Sequence, residues 1–404
     1  MRSPRARFVS PDKRPHMHSP LPQQRSQLLL NRQQQKMASS SHAYVRGSTL
    51  SFYNWLEEAK ARVPHGPDVW ICGDCHLGNL GPVADTKQRV AVQIRDLDQT
   101  VIGNPAHDLV RLGLSLTSVA RGSNLPGAAM LVMLEAMLEG YGRGLIHPGT
   151  AHIVPAPKEI RQILNQSVRR RWRHLAEERL EDVRPTIPLG KRFWALSAVE
   201  RNAMSSLFDS SAVRNLLTSL KARDDNAPVE LLDVAYWVKG CSSLGRLRFA
   251  ALASVGTDIC LIDIKQATPA AAPRAAGAIM PTDHAERVVA GAVALAPNLG
   301  RRMLAARLLD KPVVVRELMP QDLKLDIEHL AQTEAFEIAG YLASVVGQAH
   351  GRQLSTADRT QWLRAVRPKR SGKTPTWLWS AIVELLALHE AAYLDHCWKV
   401  ARAS

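Results

Sequence analysis

Apolar and polar positions alternate along the chain in three styles, and each predicts different elements. Two short apolar runs, Val69 to Cys72 and Val90 to Ile94, are bounded by Gly, Pro and charged residues and read as strands. Between them, Leu80 to Arg89 carries Gly81, Pro82 and Asp85 and reads as a loop. Helical spacing dominates the flanks. Ser39 to Arg62 starts polar and becomes helix-like, with Phe52, Trp55, Leu56 and Ala59 on one face. Gly103-Asn104-Pro105 predicts a turn, Ala106 to Ala120 a helix with Leu109, Leu112, Leu116 and Val119 inside, and Pro126 to Leu145 a Met-rich core helix. Near Leu231 the composition shifts, and Val234 to Ala267 reads as strand, Gly turn, strand, Gly turn, strand. A capped helix from Thr282, a strand from Pro312 to Leu318, and helices Glu334 to His350 and Pro375 to Val400 complete the expectation of an α+β chain.

Each of the first two strands ends on a carboxylate. Asp74 follows the first, with Asn79 five positions on, and Asp96-Leu97-Asp98 closes the second. An Asp and an Asn are hard oxygen ligands for Mg²⁺, and a further Asp accepts a proton as phosphoryl passes to a hydroxyl. Asp108, in the first turn of the following helix, complements the helix dipole and is expected to tie back onto the Asp74 loop. Downstream, Gly240 and Gly245 bracket Cys-Ser242-Ser243-Leu, where backbone N–H groups can approach a phosphate. Lys265 lies in the apolar strand Cys260-Leu-Ile-Asp-Ile-Lys265 and needs an anionic partner there.

Gly73-Asp74-x-His76-x-x-Asn79 followed by Asp96 resembles the catalytic and metal-binding loops of aminoglycoside and choline kinase-like phosphotransferases. The wider stretch looks like the uncharacterised bacterial family catalogued as domain of unknown function 2252. That likeness runs from about Lys36-Met37, through Tyr44-Val45-Arg46-Gly47, to Ala349-His350. Cys72 stands where the kinase-like motif usually has His, and Arg95 where the family usually has a polar residue such as Asn. The resemblance implies ATP and Mg²⁺ as cofactors and a bilobal protein-kinase-like (aminoglycoside phosphotransferase-like) fold. Asp74 is then the base and His76 its orienting neighbour. Asn79, Asp96 and Asp98 are the metal set, with Asp98 set behind the other two. Gly240, Ser242, Ser243, Gly245 and Lys265 hold phosphates, Glu286 fixes Lys265, and adenine packs near Val315 to Leu318, beside Glu317. The small-lobe features follow the catalytic loop instead of preceding it, so the implied fold is circularly permuted. His350 is expected either as a hydrogen-bond partner near that loop or as core.

The implied organisation is a disordered basic tail (1–36), a mainly helical large-lobe-like region (37–230), a β-rich nucleotide-binding region (231–325) and a helical C-terminal part (326–404). The tail holds eight Lys or Arg against one Asp, a surplus of seven, so of the net charge of +15 about half resides there. It is rich in Pro, Gln and Ser, which cannot offset the entropy of ordering. Nonspecific contact with anionic surfaces is one use for it, a plain solvated start the other. No apolar run approaches the ~20 residues of a membrane span, and a cytoplasmic protein is expected.

Five cysteines without an export signal argue against a disulfide framework. Cys72-Gly-Asp-Cys75-His76 also spells a c-type haem attachment pattern, a redox CxxC or half a zinc site, but no second CxxC or paired His follows. The run Arg169 to His174, followed by Glu177, Glu178, Glu181 and Asp182, reads as a charge-paired helix face, with a phosphate or RNA contact as the alternative. Arg46-Gly47 is either a phosphate contact or a surface turn. Three functions stay open at this point: a phosphotransferase acting on an unidentified small-molecule or protein acceptor, a nucleotide-binding pseudokinase or other binding protein, and a metallophosphoesterase. The last lacks the Gly-Asn-His ligands such sites use.

Overall fold

A computed structural model of the chain describes residues 19–59, 62–150, 153–170, 186–221, 223–240, 244–323, 325, 331–367 and 376–403. It begins with three helices, α1 (Pro22–Met37), α2 (Ser41–Gly47) and α3 (Thr49–Ala59). The second half of the supposed disordered tail is therefore ordered. The reason is local: Leu29 is 1% exposed, and Arg25 donates to Glu200 at 2.6 Å and to the carbonyl of Ala195 at 2.9 Å. Strand β1 (Val69–Ile71) leads through a single 3-10 turn, Leu77–Asn79, into the hairpin β2 (Leu80–Ala84) and β3 (Val90–Ile94). A short β4 (Val101–Gly103) returns to pair antiparallel with β1. The loop expected from Leu80 to Arg89 is thus half strand. In a two-stranded ribbon Pro82 keeps an outer edge and costs no ladder hydrogen bond. Only Asp85 to Arg89 turns, around an Asp85 carboxylate that accepts from the amides of Lys87 and Arg89.

Helices α4 (Ala106–Gly122), α5 (Gly127–Ile146) and α6 (Lys158–Arg169) follow. Arg169 closes α6, and positions 171–185, with most of the basic run, lie outside the described residues. Next come β5 (Phe193–Trp194), α7 (Ala198–Asp209), α8 (Ser211–Thr218), β6 (Val229–Trp237), β7 (Arg248–Val255) and β8 (Asp258–Gln266). After them stand α9 (His284–Leu295), the one-turn α10 (Pro297–Gly300), β9 (Met303–Leu308) and β10 (Lys311–Leu318). The strands form one antiparallel sheet in the order β5-β6-β7-β8-β10-β9. Period-two alternation sorts its side chains. Phe249, Ala251, Ile262, Ile264, Val313 and Val315 pack with Leu29 of α1, Met204 and Phe208 of α7, and Val213 and Leu217 of α8. The opposite face carries Arg248, Asp263, Lys265, Val314 and Arg316 in register, with Lys265 opposite both Arg248 and Val314. Helices α7 and α8, placed by sequence with the helical region before residue 231, belong under this sheet.

The chain ends in α11 (Gln332–Gly351), α12 (Thr356–Val366) and α13 (Thr376–Ala403). Helices α5 and α11 pass at backbone contact. A Cβ on Gly140 would stand 1.9 Å from the carbonyl oxygen of Gly340, and one on Gly144 2.0 Å from that of Ser344. This close pass brings His350 against Tyr141, with ring nitrogen and hydroxyl 3.1 Å apart. Among the described residues no helix is long and apolar enough to cross a membrane.

Candidate active site

The Asp74 loop is held by hydrogen bonds from several elements. The Asp108 carboxylate accepts from the amides of Cys72 at 2.7 Å and Gly73 at 3.0 Å, as its place in the first turn of α4 anticipates. His350 meets the same carboxylate at 3.1 Å, and Tyr141 in turn is held by Trp362 at 2.8 Å. A buried chain of four side chains therefore anchors the loop, and His350 is a hydrogen-bond partner rather than packing alone. Gly73 adopts φ +75°, and a Cβ there would lie 2.1 Å from the carbonyl of Gln99, so only glycine fits. Tyr53 donates to its carbonyl at 2.5 Å.

Asp74 itself faces a buried arginine that the sequence reading passed over. Arg111 of α4 donates from Nε to Asp74 Oδ1 at 2.8 Å and from Nη2 to the carbonyl of Val45 at 2.6 Å, with no exposed surface. Burial nevertheless outweighs Arg111, so the Asp74 carboxyl is raised above its ordinary value, with Asp96 adding to the effect. His76 is buried, with Nε2 3.9 Å from Asp74 Oδ2, too long for a hydrogen bond. Asn79 donates from Nδ2 to the Asp74 carbonyl at 2.9 Å, while its own carbonyl accepts from the amide of Arg95 at 2.7 Å. Asn79 thus sits across the β2–β3 ribbon from the start of the Asp96 loop.

Lys265 arrives from the sheet. Its Nζ lies 3.2 Å from both Asp96 oxygens and 2.6 Å from Asp98. Two residues behind it, Asp263 takes two bonds from Arg248, at 2.9 and 2.6 Å, and one from Arg316 at 3.3 Å. A narrow, open cleft lies here, lined by Asp96, Asp98, Asp263, Lys265, Val314 and Arg316 among others. Asp96 is deep but reachable, since 44% of its side chain is exposed. Depth works to raise its carboxyl, yet Lys265, Arg316 and Arg248 outweigh this and hold it well below the usual carboxylate range. Asp98 moves the other way, raised by burial and by the Asp96 charge beside it. Behind them, burial pushes the Arg95 guanidinium down to about 10.

Of the residues expected from sequence to meet phosphate, Gly240 and Gly245 have φ of 97° and 91°, a conformation that favours glycine. Ser242 and Ser243 lie outside the described residues. Two expectations need correction. Glu286 is exposed in the first turn of α9, where its amide is capped by Asp283, and Lys265 spends its charge on Asp96 and Asp98 instead. Glu317 is fully buried on the far side of β10, paired with Lys221 and with Arg223 at 2.7 Å. Alternation along β10 turns Arg316, not Glu317, toward the cleft. The thiols of Cys72 and Cys75 and the Asp108 carboxylate lie within 4.8 Å of one another. Asp108 already spends its oxygens on two amides and His350, and the hydrogen bond with Cys75, with burial, pushes the Cys72 thiol up. That chemistry fits packing better than metal ligation or thiol exchange.

A family model described as an uncharacterized protein conserved in bacteria, DUF2252, matches residues 25–399. The chain belongs to the DUF2252 family. No curated protein matches it, and no solved structure does. The DUF2252 match begins at Arg25, inside α1, and so takes in the helix that sequence composition assigns to the tail. In this DUF2252 chain the residues missed from sequence are Arg111, Asp263 and Arg287. Arg287 of α9 donates to the carbonyls of Asp98 and Thr268 at 2.9 Å and to that of Thr100. The helix after β8 thus grips the carboxylate loop through Arg287. A signal for it exists in the sequence. Positions 287, 288, 291, 292 and 295 share one buried helix face, and Glu286 lies off it.

Proposed function

We propose that the protein is an ATP- and Mg²⁺-dependent phosphotransferase of kinase-like, circularly permuted architecture, acting on a hydroxyl acceptor. One observation carries the reading: Lys265 meets both oxygens of Asp96 across 169 positions of sequence. A lysine and a carboxylate from separate strand systems at the mouth of one cleft suit the binding of a metal–polyphosphate pair. The donor set supports the same choice, since Asp96, Asp98 and the Asn79 amide offer hard oxygens and Asp96 stays ionised. The order of elements adds to it: three antiparallel strands, helix α9, then β9 and β10, with β10 beside the lysine strand.

In this mechanism Lys265 binds the α- and β-phosphates, and Arg287 keeps the Asp96–Asp98 backbone in place beneath them. Bound Mg²⁺ supplies charge neutralisation at the phosphate oxygens. Asp74, oriented by Arg111, accepts the proton of the acceptor hydroxyl as its oxygen bonds to the γ-phosphorus and the bond to the β–γ bridging oxygen breaks. A raised carboxyl pKa makes Asp74 the stronger base. One observation favours the second reading, nucleotide binding without turnover: Glu286 is exposed, and Lys265 pairs with Asp96 and Asp98.

Calorimetry with MgATP on the wild type, Lys265→Ala and Asp96→Asn tests the proposal. Mg²⁺-dependent binding by wild type, lost in both variants, supports one shared site. Asp74→Asn is expected to keep binding and abolish transfer. Wild type that binds no nucleotide overturns the proposal, and an Asp74→Asn variant with full ATP turnover overturns the base assignment.

A further inference from the structure

Four cations approach the Asp96–Asp98 loop from the sheet side, and they differ in how firmly they are held. Arg248 and Arg316 are committed to Asp263, and Lys265 is shared by Asp96 and Asp98 with 13% of its side chain exposed. Arg246 differs on each count. Among the described residues it has a single long ion pair, 3.6 Å to Asp98 Oδ2, and 27% of its side chain is exposed. Its backbone is fixed all the same, because its carbonyl accepts from the Tyr236 hydroxyl at 2.8 Å and Gly245 before it makes the left-handed turn. A loosely paired guanidinium on a fixed backbone, at the rim of a carboxylate cleft, is placed to exchange one oxyanion for another.

We infer that Arg246 reads the terminal phosphate of the nucleotide, so that the cleft selects a nucleoside triphosphate over the diphosphate. The inference rests on the phosphotransferase reading. A triphosphate brings one more dianionic phosphoryl group than the diphosphate. Engagement of the Asp98 carboxylate by Mg²⁺ would leave Arg246 without its partner and free to meet the γ-phosphate oxygens. Lys265 keeps the inner phosphates, which both nucleotides share. The same cation then stands where negative charge gathers as the γ-phosphoryl leaves.

The test is a titration of wild type, Arg246→Ala and Arg246→Lys with MgATP and with MgADP, with thermal midpoints as a check on folding. A charge-assisted hydrogen bond lost to a phosphate corresponds to roughly tenfold to a hundredfold in affinity. Arg246→Ala is therefore expected to weaken MgATP by at least about tenfold and MgADP by less than about threefold, with Arg246→Lys between the alanine variant and wild type. Equal losses for both nucleotides, or none, overturn the assignment while leaving the nucleotide site standing. Wild type that binds neither nucleotide overturns the phosphotransferase reading and the assignment with it.

Discussion

Replacing Arg111 by methionine tests the electrostatic core of the site without touching the cleft. The residue has no exposed surface, so its substitution cannot be rescued by water. Methionine fills most of the stem's volume and keeps contact with the Phe52 ring, over which the guanidinium lies at 5.3 Å. What is lost is the 2.8 Å bond to Asp74 and the 2.6 Å bond to the Val45 carbonyl. A buried ion pair broken on one side leaves an uncompensated charge, at a cost of about 3–5 kcal/mol, against a total stability of only about 5–15 kcal/mol. The carboxyl of Asp74, already raised by burial, would then rise further. Asp74→Asn in the same background removes the stranded charge, so the double variant should lose about 2 kcal/mol less than the sum of the single changes. Urea unfolding followed by the fluorescence of the nine tryptophans measures all four proteins, wild type included. A methionine variant within about 1 kcal/mol of wild type, or strict additivity, would mean that the Asp74–Arg111 pair carries no such energy.

Two further outcomes are expected. Burial holds the His107 and His389 rings neutral, each pushed down to about 4 from 6.5. Between those values the unfolded chain binds protons that the folded chain refuses, so stability is full above pH 6.5 and falls as pH drops toward 4, by up to about 3 kcal/mol per ring. His389→Asn should flatten that slope in urea midpoints taken at pH 7 and 4.5, and an unchanged slope would show the ring to be protonated when folded. Gly73→Ala should cost about 3 kcal/mol or more and displace the Asp74 loop, because the new methyl meets the Gln99 carbonyl at 2.1 Å. A melting temperature equal to wild type would refute it.

Helices α3, α4, α5, α9, α11 and α13 and the two carboxylate-bearing strands are legible because their signals are local. β3 runs Val90–Ile94, as the apolar run indicates, and Asp283 caps α9. Lys265 stood out by the cost of a charge inside an apolar strand. The same argument applies to Arg111, set among Leu109, Val110, Leu112 and Leu114, and would have found it. Other features depend on information the sequence does not carry locally. Strand β2 was hidden by Gly81 and Pro82, which a two-stranded ribbon tolerates. Whether Arg316 or Glu317 faces the cleft follows from register against β8, and register is set by pairing across more than fifty positions. The order of α1 depends on Glu200, 175 residues away.

The separation of Asp96 and Lys265 has a consequence for how the protein is made. The β2–β3 ribbon and the Asp108 anchor close over short stretches of chain, whereas the lysine must be brought in across 169 positions. Contacts of high sequence separation form late, because loop-closure entropy precedes their reward. During synthesis the carboxylates of Asp96 and Asp98 therefore leave the ribosome with no cation of the sheet to meet them. They remain mutually repelling and hydrated until strand β8 emerges. Under the phosphotransferase proposal, nucleotide affinity would then report on the completed chain and not on its first half.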